Sequence, residues 1–192
     1  QMCIRDSFLS APIFKIPQGF SHLGLFATNV KYPNNFYQLG KNKMLLNGKK
    51  EQNYFFLNGM IENKEKTHYY FYIIEKEDDQ IWKDACVNCY SIEKDRFRCL
   101  NCHESEGFVD IKINPNYKYL WINFETFDNG YIQCQFINEN EEIISESCKM
   151  KGNHINQLVY FSSLEYTNLY EYTLRFRLNK ANLYSYKLTS KT

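Results

Sequence analysis

Residues 119–124 read Tyr-Leu-Trp-Ile-Asn-Phe and residues 174–178 read Leu-Arg-Phe-Arg-Leu, and these two stretches decide the fold. In both, every second residue is apolar, so Leu120, Ile122 and Phe124 share one face of an extended segment. This period of two predicts a β-strand with one face in the core and the other in water. Residues 132–136 and 183–188 continue the pattern before and after further polar segments.

The turn signals between these segments divide residues 104–192 into about seven short strands. Asp128-Asn129-Gly130 predicts a turn that joins the strand at 119–124 to the strand at 132–136. Asn138-Glu139-Asn140-Glu141 predicts a polar hairpin tip. Strands of this length and number in about 90 residues are typical of an antiparallel β-sandwich.

Residues 8–103 contain short apolar runs that are broken by turn residues. Runs near 13–16, 23–27, 54–57, 68–74 and 85–92 predict strands, and residues 31–35, which include Pro33, predict a loop. Asn47-Gly48 and Asn58-Gly59 are strong hairpin dipeptides. The pattern predicts stacked hairpins or propeller blades. The whole chain is therefore expected to be all-β.

The first seven residues, Gln-Met-Cys-Ile-Arg-Asp-Ser, do not look native. They contain neither the apolar region nor the cleavage site of a signal peptide. They resemble a translated sequencing adapter. We therefore expect residues 1–7 to be a non-native scar and the chain to be truncated at its N-terminus.

The overall charge argues against a nucleic-acid partner. The 23 basic and 22 acidic residues give a net charge of +1, whereas nucleic-acid binding needs a basic surface. No apolar run approaches the roughly 18 residues that a membrane span requires. We expect neither a nucleic-acid partner nor a membrane span.

Four cysteines have the spacing of a zinc site. Cys86, Cys89, Cys99 and Cys102 form two C-x2-C pairs separated by nine residues, and four thiolates can close a tetrahedral zinc site. Cys86 and Cys89 lie in a predicted strand, where residues three apart point to opposite faces. Zinc ligation, buried free thiols and a disulfide all stay open, and no other cofactor is expected.

No catalytic residue can be assigned from the sequence. Glu139, Glu141 and Glu142 form a charged hairpin tip, which is typical of a solvated surface, and no pair of carboxylates has a separation that the sequence can fix. Trp121 is opposite in phase to the apolar face of its strand, so it lies either on the outer face or in a domain interface. Exposed Trp121, Tyr119 and Tyr131 are therefore the candidate carbohydrate-binding residues, because aromatic faces stack on sugars.

Residues 95–188 carry a family resemblance. Asp95-Arg96-Phe97, Leu100 and the later Gly107 resemble the junction motif of putative five-bladed β-propeller glycoside hydrolases of the glycosyl hydrolase family 32/43 and sialidase-like group. Cys148 and Gly152-Asn153 resemble a turn of that family. The most specific match is residues 174–186, which resemble the closing pattern LRF-x-L…A-x-LYSF of the C-terminal β-sandwich.

The resemblance implies that residues 8–103 are the last blade or two of a propeller and that residues 104–192 are the sandwich. It implies that the acid/base carboxylates of the parent glycosidase lie in earlier blades, so the fragment is expected to be inactive. Its sandwich would brace the propeller or bind carbohydrate, and the parent would lie outside the cytoplasm. The alternatives are a stand-alone carbohydrate-binding module and a zinc-ribbon-like interaction protein.

Overall fold

The computed structural model describes residues 8–15, 20–29, 32–38, 53–56, 60–76, 85–113, 117–162 and 172–190 of the 192. In these ranges the regular structure is antiparallel β-sheet without any helix, which confirms the all-β prediction. The strands are β1 (Phe8–Lys15), β2 (Phe20–Asn29), β3 (Tyr32–Gln38), β4 (Asn53–Phe56), β5 (Ile61–Glu62), β6 (His68–Lys76), β7 (Cys86–Glu93), β8 (Leu100–Ile113), β9 (Tyr119–Ile137), β10 (Ile143–Glu146), β11 (Asn153–Val159) and β12 (Tyr172–Thr189). A helix long and apolar enough to cross a membrane is therefore not found in the described ranges.

The chain divides into two compact units, the first ending at Lys94 and the second beginning at Asp95. The predicted boundary between residues 103 and 104 falls inside β8, which belongs to the second unit. The first unit contains a sheet in the order β1-β2-β3 and a second sheet in which β4, β5 and β7 all pair with β6. The propeller stays a prediction.

The loop predicted at residues 31–35 is wrong in its described part, which belongs to strand β3. The register between β2 and β3 shifts between the pairs Thr28–Phe36 and Asn29–Tyr32, so residues 33–35 bulge out of the ladder. Among the described strands, β3 also lies at the edge of its sheet. Pro33 fits there because a proline, which cannot donate a ladder hydrogen bond, is tolerated at sheet edges and bulges.

The hairpin between β5 and β6 is closed by an asparagine side chain. Asn63 Oδ1 accepts hydrogen bonds from the backbone amides of Thr67 at 2.7 Å and His68 at 2.9 Å. Lys66, in the turn between Asn63 and Thr67, has a φ of 56°. These contacts join β5 to β6, whereas the predicted Asn-Gly turns at 47–48 and 58–59 lie outside the described residues.

The second unit is one five-stranded sheet in the order β10-β9-β12-β8, with β11 also pairing with β9. The turn predicted at Asp128–Gly130 is wrong, because β9 runs through it as one strand of 19 residues. Tyr131 pairs with Asn179 and Thr126 pairs with Ala181, so residues 127–130 form a bulge opposite β12. Turn residues also suit a bulge: Asp128 has a φ of 50°, and a bulge, like a turn, uses residues that tolerate a left-handed backbone.

The sheet folds over itself at this bulge. The rings of Phe176 and Tyr186, both on β12, have centroids 5.3 Å apart, although ten residues of extended strand span about 33 Å. β8 bulges at the same place, since Asn179 pairs with Glu106 and Ala181 with Cys102. The apolar faces of the two halves therefore meet and their outer faces point away from each other.

The core lies between the two halves and confirms the predicted alternation. Its members come from both sides of the bend and from β11. They are Leu120, Ile122, Phe124, Ile132, Cys134, Phe136, Val159, Tyr172, Leu174, Phe176, Leu178, Ala181, Leu183, Tyr186 and Leu188. At roughly 1.5–3 kcal/mol for each large apolar side chain that is fully buried, this cluster stabilises the second unit.

Candidate binding face

The outer face of β8 and β12 carries two arginines that the core strand pattern places there. Leu174, Phe176 and Leu178 point into the core and are buried, so Arg175 and Arg177 between them point outward. The register of β8 against β12 sets Asp110 opposite Arg175 and Phe108 opposite Arg177. Charged and aromatic side chains from two strands are thereby brought together on this face.

Arg175 and Asp110 form a bidentate ion pair. Arg175 Nε and Nη2 donate to the two carboxylate oxygens of Asp110, each at 2.7 Å. These hydrogen bonds raise the pKa of Arg175, and the negative charges of Asp110 and Glu141 act in the same direction. The guanidinium carbon lies 4.2 Å from the ring centroid of Phe108, whose side chain is nevertheless 65% exposed. The pair and the ring form a fixed polar and aromatic surface.

A second network lies beside this pair. Arg177 donates to Glu106 Oε1 from Nε at 2.9 Å and also from Nη2, and the Tyr131 hydroxyl donates to Glu106 Oε2. The hydrogen bonds from Tyr131 and Arg177 lower the pKa of Glu106. Lys149 Nζ lies 4.0 Å from the ring centroid of Tyr131. This network holds an ionised carboxylate and covers the tyrosine ring.

A groove of about 310 Å³ opens at the end of the same face. The Arg175–Asp110 pair lines one side, and the hairpin tip between β9 and β10 lines the other. The tip is held by Asn138, whose Oδ1 accepts from the backbone amides of Asn140 at 2.9 Å and Glu142 at 2.8 Å, so the predicted hairpin tip is confirmed. The remaining lining residues are Lys112, Ile137, Glu139, Glu141, Tyr172 and Thr173.

The three predicted carbohydrate-binding residues do not lie together. Tyr119 and Trp121 are half-buried neighbours on the outer face of β9 before the bulge. Tyr131 follows the bulge, on the half whose outer face points the other way, and is only 8% exposed. The expectation that Tyr131 is exposed is therefore wrong, because Lys149 and the Glu106–Arg177 pair cover it. Carbohydrate binding by Tyr119 and Trp121 stays a prediction.

A polar cluster covers the sheet next to Trp121. Arg96 donates from Nε to Asn123 Oδ1 at 2.9 Å and from Nη2 to Asn153 Oδ1, and its guanidinium carbon lies 4.6 Å from the ring centroid of Tyr184. Burial raises the pKa of Tyr184. The cluster anchors the segment before β8 on the outer face, so Asn123 is buried although its position in the strand faces outward.

The structure separates the cysteines of the first C-x2-C pair. Cys86 and Cys89 are exposed and three residues apart on β7, which pairs with β6 without a register shift, so their side chains point to opposite faces of the sheet. Cys102 Sγ instead contacts the carbonyl oxygen of Ser105 at 2.6 Å. Among the described residues no group of three or more His, Cys, Asp or Glu could hold a metal ion. Zinc binding through Cys86, Cys89, Cys99 and Cys102, one of three open alternatives and not the favoured one, stays untested.

The sequence interpretation missed Phe108, Asp110 and the groove. A signal was present, because residues 106–113 alternate between charged or exposed residues and apolar ones, as residues 174–178 do. Two such strands that pair in one sheet place their exposed residues on the same face. The register that sets Asp110 beside Arg175 cannot be read from the sequence, because the two residues are 65 positions apart in the chain. No protein-family model matches the chain, nor does any curated protein or solved structure, so these residues carry the functional argument.

Proposed function

We propose that the chain is the C-terminal part of a propeller-type glycoside hydrolase-like protein and that its second unit is a β-sandwich that binds carbohydrate without catalysis. The observation that carries the binding proposal is the exposed ring of Phe108 beside the Arg175–Asp110 pair, and that pair itself lines a groove. The resemblance over residues 95–188 supports the parent family, and the way the sheet folds over its core supports the sandwich. Bracing of the propeller, the other role implied by the resemblance, stays a prediction.

The chemistry of this face suits a sugar. An aromatic ring offers an apolar surface on which the C–H face of a pyranose can stack. The Arg175–Asp110 pair offers an N–H donor and carboxylate acceptors in a fixed geometry, which is what vicinal hydroxyls need. The groove volume of about 310 Å³ falls at the lower end of the roughly 300–1,000 Å³ that small-molecule sites occupy. One or two sugar rings are the expected occupant.

The binding proposal is tested by Phe108→Ala in affinity electrophoresis through gels that contain a neutral polysaccharide. Loss of the stacking surface should weaken retention by about two- to tenfold, since an aromatic contact contributes about 0.5–1.5 kcal/mol beyond its buried area. Tyr160→Ala is the matched control, because Tyr160 is another exposed aromatic of the same unit, with 71% of its surface accessible. Equal retention of the wild type and the Phe108 variant would remove Phe108 from the site.

The absence of catalysis is tested separately. The resemblance implies that the acid/base carboxylates lie in blades that precede this chain, so the full 192-residue chain should not hydrolyse chromogenic glycosides. Hydrolysis that survives purification to constant specific activity would contradict the proposal. The retention assay would still report on binding in that case, so the two claims are independent.

A second binding platform is favoured by the position of Tyr119 and Trp121 as neighbours on one outer face. Both are half-buried, and the Arg96 cluster holds polar groups next to them. Trp121→Ala distinguishes this platform from the groove. If Trp121→Ala abolishes retention and Phe108→Ala does not, the sugar binds at the platform and the groove proposal fails.

A further inference from the structure

More negative than positive side chains line the groove, and this excess affects which glycan can bind there. Three carboxylates line it, those of Asp110, Glu139 and Glu141, against the two cations Lys112 and Arg175. Both nitrogens of Arg175 that bond to Asp110 are committed to that carboxylate. Glu139 and Glu141 lie on the exposed hairpin tip and line the same groove as Lys112.

The backbone of the hairpin tip is held in place by hydrogen bonds. Asn138 caps the tip through the amides of Asn140 and Glu142, and its own amide nitrogen donates to Glu142 Oε2 at 2.8 Å. Glu141 adopts a φ of 63°, and its charge acts on Arg175 across the groove. The backbone thus carries the charges of Glu139 and Glu141 at a fixed edge of the groove.

We infer that the groove discriminates between glycans by their charge and binds amino or neutral sugars more tightly than acidic ones. This inference rests on the proposed carbohydrate-binding function. A neutral hydroxyl can donate to a carboxylate and accept from Arg175 or Lys112. An ammonium group gains from the excess of carboxylates. A uronate or sulfate would meet that excess at close range in a partly solvated groove, where repulsion by one net charge weakens binding by about tenfold.

The test compares matched pairs of polysaccharides with the full chain in affinity electrophoresis. A soluble β-glucan, a galactomannan and pullulan are each used in native form and after oxidation of C6 to the uronate, so that the members of a pair differ in the added carboxylates. The native form that retains the chain most should retain it about tenfold more strongly than its oxidised form. Retention by the oxidised form that equals or exceeds retention by the native form overturns the inference and leaves carbohydrate binding intact.

A charge-reversal variant assigns the preference to the groove. Glu139→Lys/Glu141→Lys should bring the oxidised form to at least equal retention, since both side chains are exposed and can be replaced without repacking the core. Glu65→Lys/Glu104→Lys, which changes the net charge equally at exposed positions outside the groove lining, should keep the wild-type preference. An unchanged preference in the groove variant overturns the inference. If no polysaccharide of either form retains the wild type, the proposed function itself fails.

Discussion

Gly130 is the residue on which the folding of the second unit over itself should depend most. It lies in the bulge of β9 against the backbone of β12. A Cβ atom added at this position would lie 2.3 Å from the carbonyl oxygen of Lys180 and 2.5 Å from that of Asn179. Both are backbone atoms of the sharply bent strand, where Lys180 has a φ of 41°. Neither oxygen can rotate away as the end of a side chain would.

Gly130→Ala should therefore lower the free energy of unfolding by about 3 kcal/mol, the upper end of the range for overpacking a tight site. Gly107→Ala is the matched control, because the nearest atom to its added Cβ is Cys102 Sγ at 3.2 Å, the end of a side chain that can shift. That variant should stay within about 0.5 kcal/mol of the wild type.

Urea unfolding followed by far-UV circular dichroism measures both variants. The comparison requires equal m-values, since a changed slope would report a change in compactness rather than in stability alone. A transition midpoint for Gly130→Ala that coincides with the midpoint of Gly107→Ala would refute the close approach of β9 and β12 at the bulge. The fold-back inferred from the ring contact of Phe176 and Tyr186 would then lose its backbone explanation.

Two further predictions concern ionisable groups. Burial raises the pKa of the Cys134 thiol, so at pH 8 iodoacetamide should label exposed Cys148 and leave Cys134 unlabelled until urea unfolds the chain; peptide mass spectrometry that finds equal labelling rates would contradict its burial. Hydrogen bonds from Tyr131 and Arg177 lower the pKa of Glu106 below its ordinary 4.5, so its stabilising contribution is present at neutral pH and is lost as the pH falls below 4.5 through the folded pKa. The urea midpoint of Glu106→Gln should lie below that of the wild type at pH 7 and approach it as the pH falls below 4.5 through the folded pKa of Glu106; a constant difference would argue against the ionised carboxylate as the cause.

The strand alternation was predictable from sequence because it is local. Leu120, Ile122 and Phe124 are buried as their phase requires, and Asn138 closes the predicted hairpin tip. The bulge at Asp128–Gly130 was not predictable, because a residue with positive φ beside a glycine suits a turn and a bulge equally. Only the pairing of both halves of β9 with β12 decides between them.

The candidate site was less predictable than the fold, for a related reason. The outward phase of Arg175 follows from the sequence, but its partner Asp110 is set by the register of two strands that are distant in the chain. Tyr131 shows the converse limit. Its phase points it outward, yet Lys149 and Glu106 cover it, so strand periodicity predicts the face of a residue and not its exposure.

The same strand supplies the core and the proposed site, and this bears on how tightly the face can bind. Leu174 and Phe176 are fully buried on either side of Arg175, so the backbone beneath the guanidinium is held by the core. Asp110 fixes the guanidinium itself through two hydrogen bonds. A sugar that docks against Arg175 therefore meets a side chain that has already lost its rotamer freedom, which spares about 0.5–1.5 kcal/mol of ordering cost per side chain. An exposed arginine without such a partner would lose its rotamer freedom only on binding and would weaken the affinity by that amount. A surface ion pair contributes little to the stability of the fold. The ordering of Arg175 by Asp110 therefore favours a binding role for this face.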